Sequence, residues 1–168
     1  MCTISHSERE RILHCCNVQE NKIDVVHIGV SPTFKPKEHF SSKELLTVRQ
    51  RYNLPENFLL YVGRLNERKN IYNTLMSISL LKDKNIPLVL VGAYDWKMFN
   101  IDTVLPEFGI NDRVQLVGFV SDEDLPILYS LATIFLFVSF EEGFGLPPLE
   151  AMASGVPVVV SDRSSLPE

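Results

Sequence analysis

Cysteine is scarce in this chain of 168 residues, which contains only Cys2, Cys15 and Cys16. Adjacent cysteines rarely pair with each other, and no CxxC spacing is present. Neither a disulfide framework nor a cysteine zinc cluster is therefore expected. The sequence favours a reduced, cytoplasmic compartment, in which the three thiols behave as small apolar side chains.

Long apolar runs are lacking as well. The longest cover residues 87–91, 132–138 and 156–160, whereas a membrane helix needs roughly 20 apolar residues. The N-terminal segment carries charge by Glu8, which argues against a secretory signal. Basic residues are outnumbered, since 16 Lys and Arg stand against 21 Asp and Glu and give a formal net charge of −5. Because nucleic-acid-binding proteins usually present a basic face, no nucleic-acid partner is expected.

The remaining composition, 45% apolar and 22% charged, is typical of a globular domain with a sizeable core. Strands are predicted at six short apolar runs: residues 24–28, 58–62, 87–91, 113–117, 133–138 and 156–160. Helices are predicted between or after them: residues 69–82, 96–108, 122–131 and 148–154. Several strand runs are apolar at consecutive positions, as in strands buried on both faces. The alternation predicts an α/β fold, a Rossmann-like doubly wound parallel sheet.

The chain divides into three predicted regions. All four histidines and all three cysteines lie in the first 40 residues, and residues 29–37 are typical of a linker. We expect residues 1–22 to be the tail of a preceding domain and residues 23–57 to be a linker with the first strand and helix of the next. Residues 58–168 would be the main Rossmann-like domain. That domain is expected to be incomplete, because no closing helix follows its last predicted strand.

Charged residues follow the strand predicted at 58–62. Gly63 permits close approach of the backbone, the Arg64 guanidinium can bind two phosphate oxygens, and Lys69 adds a second cation. Lys69 also begins the predicted helix 69–82, whose N-terminus favours anions. Ligands of open parallel sheets bind beyond the carboxyl ends of the strands. The segment suits a diphosphate, although an exposed turn whose charges serve only solubility explains it equally well.

A glycine-rich loop follows the strand predicted at 133–138 and leads into the helix predicted at 148–154. Backbone N–H groups at such a helix N-terminus can bind a phosphate or a sugar hydroxyl. Glu142, in the loop, and Glu150, assigned to the first helical turn, can accept hydrogen bonds from the vicinal hydroxyls of a ribose or hexose. The alternative is that Glu150 only balances the helix dipole and that Glu142 is solvated.

Three further patterns are assigned no chemistry. Residues 143–148 begin like a dinucleotide fingerprint, but Pro148 stands where the third glycine belongs. Residues 122–124 spell Asp-Glu-Asp, yet their position after the predicted N-cap Ser121 favours compensation of the helix dipole over metal binding. Residues 14–16, His-Cys-Cys, have no spaced partner cluster, so ordinary packing is preferred to a metal or thiol site.

The two charged motifs together resemble the retaining nucleotide-sugar glycosyltransferases of group 1 (family 4), whose GT-B fold has two Rossmann-like halves facing across a cleft. Arg64 and Lys69 match the first motif, and Glu142 and Glu150 match the Glu-x7-Glu signature with its Gly-Phe-Gly filling and following Ala-Met-Ala. The resemblance covers roughly residues 23–168. It implies that the chain is mainly the C-terminal, donor-binding half of such an enzyme.

The resemblance also implies a role for each motif residue. Arg64 and Lys69 hold the donor diphosphate and stabilise the leaving nucleoside diphosphate, so that no metal is required. Glu142 contacts the transferred sugar and is expected to be catalytic with the two cations, whereas Glu150 binds the ribose hydroxyls. The other expected donor-binding positions are Gly63, Gly143, Phe144, Gly145 and Leu146 along the sugar and phosphates, and Gly118, Phe119 and Val120 beside the base.

The implied reaction transfers a hexose, with retention of configuration, from a nucleoside diphosphate sugar to a saccharide or lipid-linked acceptor in polysaccharide biosynthesis. GDP-mannose is slightly favoured over a UDP-hexose, because residues 63–70 resemble mannosyl-transferring relatives. The acceptor would be bound by the N-terminal half that ends within residues 1–22, so the chain alone is expected to be inactive. Peripheral association with the cytoplasmic face of a membrane would usually involve that half.

Two other functions remain open. The same pocket can hold a nucleotide or sugar phosphate without turnover, as a non-catalytic binding module. A doubly wound sheet also suits a receiver-like regulatory domain, because fold alone does not set function. The chain lacks the acidic cluster after its first strand that phosphoryl acceptance would need.

Overall fold

The structure is a computed structural model that describes residues 1–82, 85–93 and 100–168. Its strands are β1 (Cys2–Thr3), β2 (Asp24–Val25), β3 (Leu59–Val62), β4 (Leu88–Val91), β5 (Val114–Gly118), β6 (Ile134–Phe137) and β7 (Val158–Val160). Its α-helices are α1 (His6–Cys15), α2 (Ser42–Arg51), α3 (Ile71–Leu80), α4 (Ile101–Phe108), α5 (Leu125–Ser130) and α6 (Leu146–Ala153). In the part of the chain that is described, no helix has the length and apolar character that spanning a membrane would require.

Strands β3 to β7 form one parallel sheet in the order β5-β4-β3-β6-β7, which confirms the predicted fold class. The central strand β3 pairs on one side with β4, Leu59 opposite Leu88, and on the other with β6, Leu59 opposite Ile134. The chain therefore adds β4 and β5 on one side of β3 and then crosses to the other side, where it adds β6 and β7. Such a reversal of strand order leaves a crevice at the carboxyl edge, between the loops that follow β3 and β6.

The N-terminal residues form a separate two-stranded parallel sheet, in which Cys2 of β1 lies opposite Asp24 of β2. The strand predicted at 24–28 is thus shorter than expected and pairs with β1 rather than with the five-stranded sheet. Helix α1 connects the two strands in a segment for which no helix was predicted. It begins at the N-cap Ser5, whose Oγ accepts a hydrogen bond from the Glu8 backbone N–H at 3.1 Å.

Two helices beside the crevice begin at other residues than predicted. Helix α3 begins at Ile71 because Asn70 has a left-handed backbone, with φ of +58°. Lys69 therefore lies in the short 3₁₀ turn Glu67–Lys69 and not in the helix that was predicted at 69–82. Helix α6 begins at Leu146, one half-turn earlier than predicted.

The remaining predicted helices are shorter in the structure. Helix α5 covers only Leu125–Ser130, because residues 122–124 form a turn ahead of it. Helix α4 covers Ile101–Phe108 and matches the second part of the helix predicted at 96–108. The first part of that prediction falls on residues 96–99, outside the described residues.

The core lies on both faces of the five-stranded sheet, directly beneath the crevice. All four residues of β4 are buried, which explains their unbroken apolar run. Tyr61, Phe135 and Phe137 are fully buried on β3 and β6, and their rings stack with centroids about 6 Å apart, at 6.0 Å for Tyr61–Phe137 and 5.9 Å for Phe135–Phe137. Burial of one such side chain contributes about 1.5–3 kcal/mol. The floor of the crevice is therefore rigid.

The loops after β3, β4 and β5 are joined by close backbone contacts. The Gly63 N–H donates to the Val91 carbonyl at 2.9 Å, and the Gly92 N–H donates to the Gly118 carbonyl at 2.8 Å. Gly92 has a φ of +135°, and a Cβ on this residue would collide with the Gly63 carbonyl. Only glycine fits such an approach, so the carboxyl edge of the sheet depends on Gly92.

Candidate functional site

The centre of the candidate site is a buried ion pair between Lys69 and Glu142. Lys69 Nζ lies 2.6 Å from Glu142 Oε1, and the side chains are only 11% and 8% exposed. Lys69 ends the 3₁₀ turn after β3, and Glu142 lies in the loop after β6, so the pairing of these two strands brings them together. Buried charges require partners. The alternatives of a solvated Glu142 and of a Lys69 that serves only solubility are thus wrong.

Two neighbours complete the surroundings of this ion pair. Lys69 Nζ lies 4.7 Å from the centroid of the Phe137 ring, a cation–π contact. Arg68 Nη1 lies 3.6 Å from Glu142 Oε2 and donates a hydrogen bond to the Glu141 carbonyl at 2.7 Å. Glu142 therefore faces two cations, and the three side chains together carry an excess positive charge at the mouth of the crevice.

Arg64 lies one residue beyond Gly63 in the loop after β3, with its side chain exposed. Its backbone carbonyl accepts a hydrogen bond from the Tyr61 hydroxyl at 3.1 Å, which fixes the loop. Burial, reinforced by the charge of Glu142, raises the pKa of Tyr61, so that this hydroxyl remains a donor. Within the described residues the Arg64 guanidinium makes no hydrogen bond or ion pair, and it is therefore available to an anionic ligand.

Glu150 lies in the second turn of α6, since that helix begins at Leu146. The expectation that Glu150 is in the first turn is wrong, and with it the alternative that this residue balances the helix dipole. Its Oε2 accepts a hydrogen bond from the buried Tyr129 hydroxyl at 2.8 Å. Burial raises the pKa of Glu150, although the Tyr129 hydrogen bond partly opposes this effect. A partly buried carboxylate with one oxygen occupied leaves the other oxygen for a ligand hydroxyl.

The glycine-rich loop joins Glu142 to α6 over Gly143, Phe144, Gly145 and Leu146. Gly145 is the N-cap of α6 with a φ of +99°, and a Cβ there would lie 2.7 Å from Leu166 Cδ2. No side chain caps the helix, but Pro147 and Pro148 supply no backbone N–H. The helix therefore presents fewer N–H groups to an anion than the sequence suggested, chiefly those of Gly145 and Leu146.

The predicted base-binding residues follow β5, at the outer edge of the sheet. Gly118 ends the strand with a φ of +74°, Val120 is buried, and Phe119 is 83% exposed. An aromatic ring so exposed is unusual, because burial of a phenyl ring is strongly favourable. The three residues are separated from Lys69 and Glu142 by the carboxyl end of β4.

The patterns that were assigned no chemistry also have defined positions. Asp124 is the N-cap of α5 and not a residue of its first turn. It is buried between α2 and α5, forms an ion pair with Arg51 and accepts a hydrogen bond from the Tyr52 hydroxyl at 2.8 Å. Burial raises the pKa of this carboxyl, but the Tyr52 and Arg51 contacts outweigh it, so the net shift is downward. His14, Cys15 and Cys16 are exposed at the end of α1, contrary to the expectation that they pack.

Two contacts of the site were missed at the level of sequence. The sequence assigns no role to Arg68, yet its guanidinium lies 3.6 Å from Glu142 Oε2. Tyr129 was read only as part of a helix, yet it positions Glu150. Both partners are distant in sequence, so spacing alone gave no signal for either contact.

The comparisons with known proteins identify relatives across nearly the whole chain. A family model described as glycosyl transferases group 1 matches residues 42–168. The O-antigen chain mannosyltransferase B of Escherichia coli is 39% identical over 171 residues, which cover 99% of this chain and 44% of that protein. The O-antigen chain mannosyltransferase RfbU of Salmonella typhimurium strain LT2 is 32% identical and covers 95% of this chain and 41% of that protein. The chain thus spans less than half the length of these relatives.

Solved structures share the fold. The glycosyltransferase WaaG, involved in lipopolysaccharide biosynthesis, superposes with a TM-score of 0.83 at 19% identity over 98% of this chain and 45% of that chain. Anabaena HepE in complex with UDP and glucose has a TM-score of 0.81 at 20% identity, with 98% and 44% covered. Both are GT-B glycosyltransferases. With a five-stranded parallel sheet of this kind and a family match over residues 42–168, the chain belongs to the group 1 glycosyl transferases.

Proposed function

We propose that this chain binds the nucleotide-sugar donor of a hexosyltransferase. The observation that carries the proposal is the buried Lys69–Glu142 ion pair at the carboxyl edge of β3 and β6, with the exposed Arg64 in the same loop as Lys69. A cation held in a rigid crevice beside a carboxylate suits a ligand that carries both a phosphate and sugar hydroxyls.

The diphosphate would bind between Arg64 and Lys69. An ammonium group has three N–H donors, and Glu142 occupies one of those of Lys69. The others remain for phosphate oxygens, while the Arg64 guanidinium can bind two oxygens at once. Glu142 stays in place as the partner of Lys69 and directs its second oxygen, near Arg68, towards the hydroxyls of the transferred sugar.

The same cations would assist the chemistry. As the bond between the anomeric carbon and the phosphate oxygen breaks, negative charge develops on the leaving nucleoside diphosphate. Lys69 is already held by Glu142, so it would stabilise that charge with little reorganisation, an effect worth about 3–4 kcal/mol in other enzymes. The exposed Arg64 side chain would be ordered by the diphosphate itself. In this proposal the two cations serve the role of the metal that other transferases use at the diphosphate.

The nucleoside would lie towards β5. Glu150, positioned by Tyr129, would accept hydrogen bonds from the two ribose hydroxyls. The exposed ring of Phe119 offers a flat apolar surface that a base can cover. The loop of Gly143 to Leu146 would contact the sugar and phosphates through its backbone.

The donor sugar is proposed to be mannose, carried as GDP-mannose, with a UDP-hexose as the alternative. Two relatives over nearly the whole chain are named mannosyltransferases, which supports mannose. HepE was solved with UDP and glucose, which supports a nucleotide-sugar donor in general. Its base and sugar, however, are those of the alternative UDP-hexose and not of GDP-mannose. Transfer with retention to a saccharide or lipid-linked acceptor is proposed from the family resemblance.

The acceptor would be bound by a second half of the enzyme, since the relatives are more than twice as long as this chain. Transfer requires the acceptor oxygen to be placed against the anomeric carbon. We therefore propose that the 168 residues alone bind the donor without transferring its sugar. A cytoplasmic setting is supported by the three exposed free cysteines, which persist in a reducing compartment.

The test is a titration of the chain with GDP, UDP and ADP and with their hexose conjugates, followed by protein NMR and calorimetry. We expect selective binding of one diphosphate, with chemical-shift changes in the loops after β3 and β6. Arg64→Ala and Glu150→Gln should weaken it, whereas Lys43→Ala, an exposed cation on α2, should not. A folded chain that binds no nucleotide, or variants that bind as tightly as the parent, would contradict the proposal.

A further inference from the structure

Two histidines and a glutamate from three distant segments meet on the surface of the protein. His6 is the first residue of α1, His27 follows β2, and Glu168 lies after β7. One ligand atom of each residue lies within 4.8 Å of those of the other two, and His27 Nε2 is 3.6 Å from Glu168 Oε2. We propose that His6, His27 and Glu168 bind a divalent transition-metal ion of the zinc class.

The distances fit such an ion after small side-chain movements. Zinc binds imidazole nitrogen and carboxylate oxygen at about 2.0–2.2 Å, so neighbouring ligand atoms of a tetrahedral site lie roughly 3.3 Å apart. The His27–Glu168 distance is already within a few tenths of an ångström of that value. Rotation of exposed imidazoles can close the remaining gap to His6, because surface side chains change rotamer readily.

Glu168 is held in place before any ion binds. Its two carboxylate oxygens accept hydrogen bonds from the backbone N–H groups of His6 and Ser7, both at 2.7 Å. These two hydrogen bonds fix the orientation of the carboxylate beside His27. Each oxygen retains a second lone pair for an ion.

His27 is also positioned by its neighbours. Its ring packs edge-on against His6, with centroids 5.7 Å apart, and at a tilt against Phe144, with centroids 5.5 Å apart. The two imidazoles are thus arranged around a common point beside the Glu168 carboxylate. Because all three residues are exposed, water can fill the fourth position and an ion can enter without opening the fold.

The ligand set selects the class of ion. Two imidazoles and one carboxylate suit zinc and its neighbours cobalt, nickel and copper, whereas magnesium and calcium prefer oxygen ligands alone. An ion here would join α1 to a segment more than 160 residues away in sequence, since His6 and Glu168 are 162 positions apart. It would also fix the ring of His27, which contacts Phe144 in the loop proposed to contact the donor.

The probe is Zn2+, with Co2+ for spectroscopy, added to the metal-free chain in a background where Cys2, Cys15 and Cys16 are replaced by serine. This background is needed because exposed thiols bind the same ions. We expect one Zn2+ per chain in calorimetry, a rise in the thermal midpoint with Zn2+, and imidazole-ligand absorption bands with Co2+. His27→Ala and His6→Ala should each weaken Zn2+ binding at least about tenfold.

The other two histidines provide matched controls. His14→Ala and His39→Ala should leave Zn2+ affinity unchanged, and circular dichroism should show that every variant is folded. Glu168→Gln keeps the size of the side chain and should weaken Zn2+ binding. It should also lower the thermal midpoint without metal, because an amide nitrogen cannot accept the hydrogen bond that one carboxylate oxygen accepts from His6 or Ser7, so the histidine variants carry the comparison of Zn2+ affinity. Equal affinity in the parent and His27→Ala, or loss of binding only when the cysteines are replaced, would overturn the proposal.

Discussion

Lys69 and Glu142 are 73 residues apart in sequence, yet the Lys69 ammonium donates a hydrogen bond of 2.6 Å to the Glu142 carboxylate in a buried position. Each side chain makes the burial of the other tolerable, since an unpaired charge in such a place is strongly unfavourable. The pair therefore serves the fold as well as the proposed donor site. Stability and donor binding can be tested separately, because Lys69 is buried in the ion pair whereas the nearby Arg64 is exposed and is expected only to bind the donor.

The first prediction concerns stability. Lys69→Met keeps the length of the side chain but leaves Glu142 buried with only the more distant Arg68 for charge compensation. We expect the free energy of unfolding in urea to fall by about 2–4 kcal/mol. The exposed Lys43→Met on α2 should change it by no more than about 0.5 kcal/mol. Equal values for the two variants would show that the buried pair does not stabilise the fold.

The second prediction concerns a substitution that should weaken ligand binding and leave the stability of the fold unchanged. The Arg64 side chain is exposed and unpaired among the described residues, so Arg64→Ala should leave the free energy of unfolding within about 0.5 kcal/mol. Loss of a guanidinium that binds two phosphate oxygens should weaken nucleoside diphosphate binding about 10–100-fold.

The control ligand for Arg64→Ala is the nucleoside without phosphates. Calorimetry should give it the same affinity for the parent and the variant, because Arg64 is expected to contact only phosphate. An equal loss of affinity for nucleoside and diphosphate would show that Arg64 acts through the structure of the loop.

The third prediction concerns Glu150, whose pKa is raised chiefly by burial. Ionisation in the folded state is then less favourable than in the unfolded chain. The resulting destabilisation is absent below the unfolded pKa, appears as pH rises through the folded pKa, and is full at neutral pH. Glu150→Gln removes it and should raise the thermal midpoint at pH 7 but not at pH 3.

The same substitution should weaken binding to ribose hydroxyls, since an amide oxygen is a poorer acceptor than a carboxylate. The Glu150→Gln variant would then be more stable than the parent and would bind the nucleotide more weakly. Such a trade-off between stability and function is typical of functional sites. A lower thermal midpoint at pH 7 would indicate that the Tyr129–Glu150 hydrogen bond outweighs the effect of burial.

The fourth prediction concerns Asp124, whose pKa is lowered because the Tyr52 and Arg51 contacts outweigh burial. A lowered pKa means that the ionised group stabilises the fold above the unfolded pKa, near 3.9. This stabilisation is lost as pH falls through the lower folded pKa. Asp124→Asn should therefore be less stable than the parent at pH 6, with a difference that shrinks towards pH 2.

Urea unfolding at several pH values measures this difference. Tyr52→Phe, which removes one hydrogen bond to the carboxylate, should lower the free energy of unfolding at pH 6 by about 1–2 kcal/mol. Asp112→Asn, at an exposed position, serves as the control and should follow the parent. A difference between Asp124→Asn and the parent that is the same at every pH would contradict the assignment.

The sheet could be predicted well from sequence. Strands β3, β4 and β6 begin and end within one residue of the predicted bounds, because strands buried on both faces require unbroken apolar runs. Helix starts were harder to predict. The left-handed Asn70 and the turn ahead of α5 depend on tertiary contacts that no local pattern reports, such as the hydrogen bond from Asn70 to the Val138 carbonyl.

The candidate site was predictable in its residue types but not in its contacts. Lys69, Glu142 and Glu150 were selected from charge, position after a strand and family resemblance. Their partners Arg68 and Tyr129 come from other segments, and the same is true of the His6, His27 and Glu168 cluster. Contacts between residues that are distant in sequence leave no periodic pattern in a single sequence, so they can be identified only in the folded structure.

The central position of β3 has a consequence for how the protein folds. At the start of β3, the Phe58 N–H donates to Thr133 Oγ1 in the segment before β6, 75 residues away along the chain. To pair in parallel over such a distance, the chain must lose the entropy of closing a long loop before the favourable contacts between the strands form. This pairing is therefore a slow step in folding. Lys69 and Glu142 meet only when β3 and β6 have paired. Nucleotide binding that appears during refolding should therefore follow the slowest phase, and early compact states of the chain should be unable to bind.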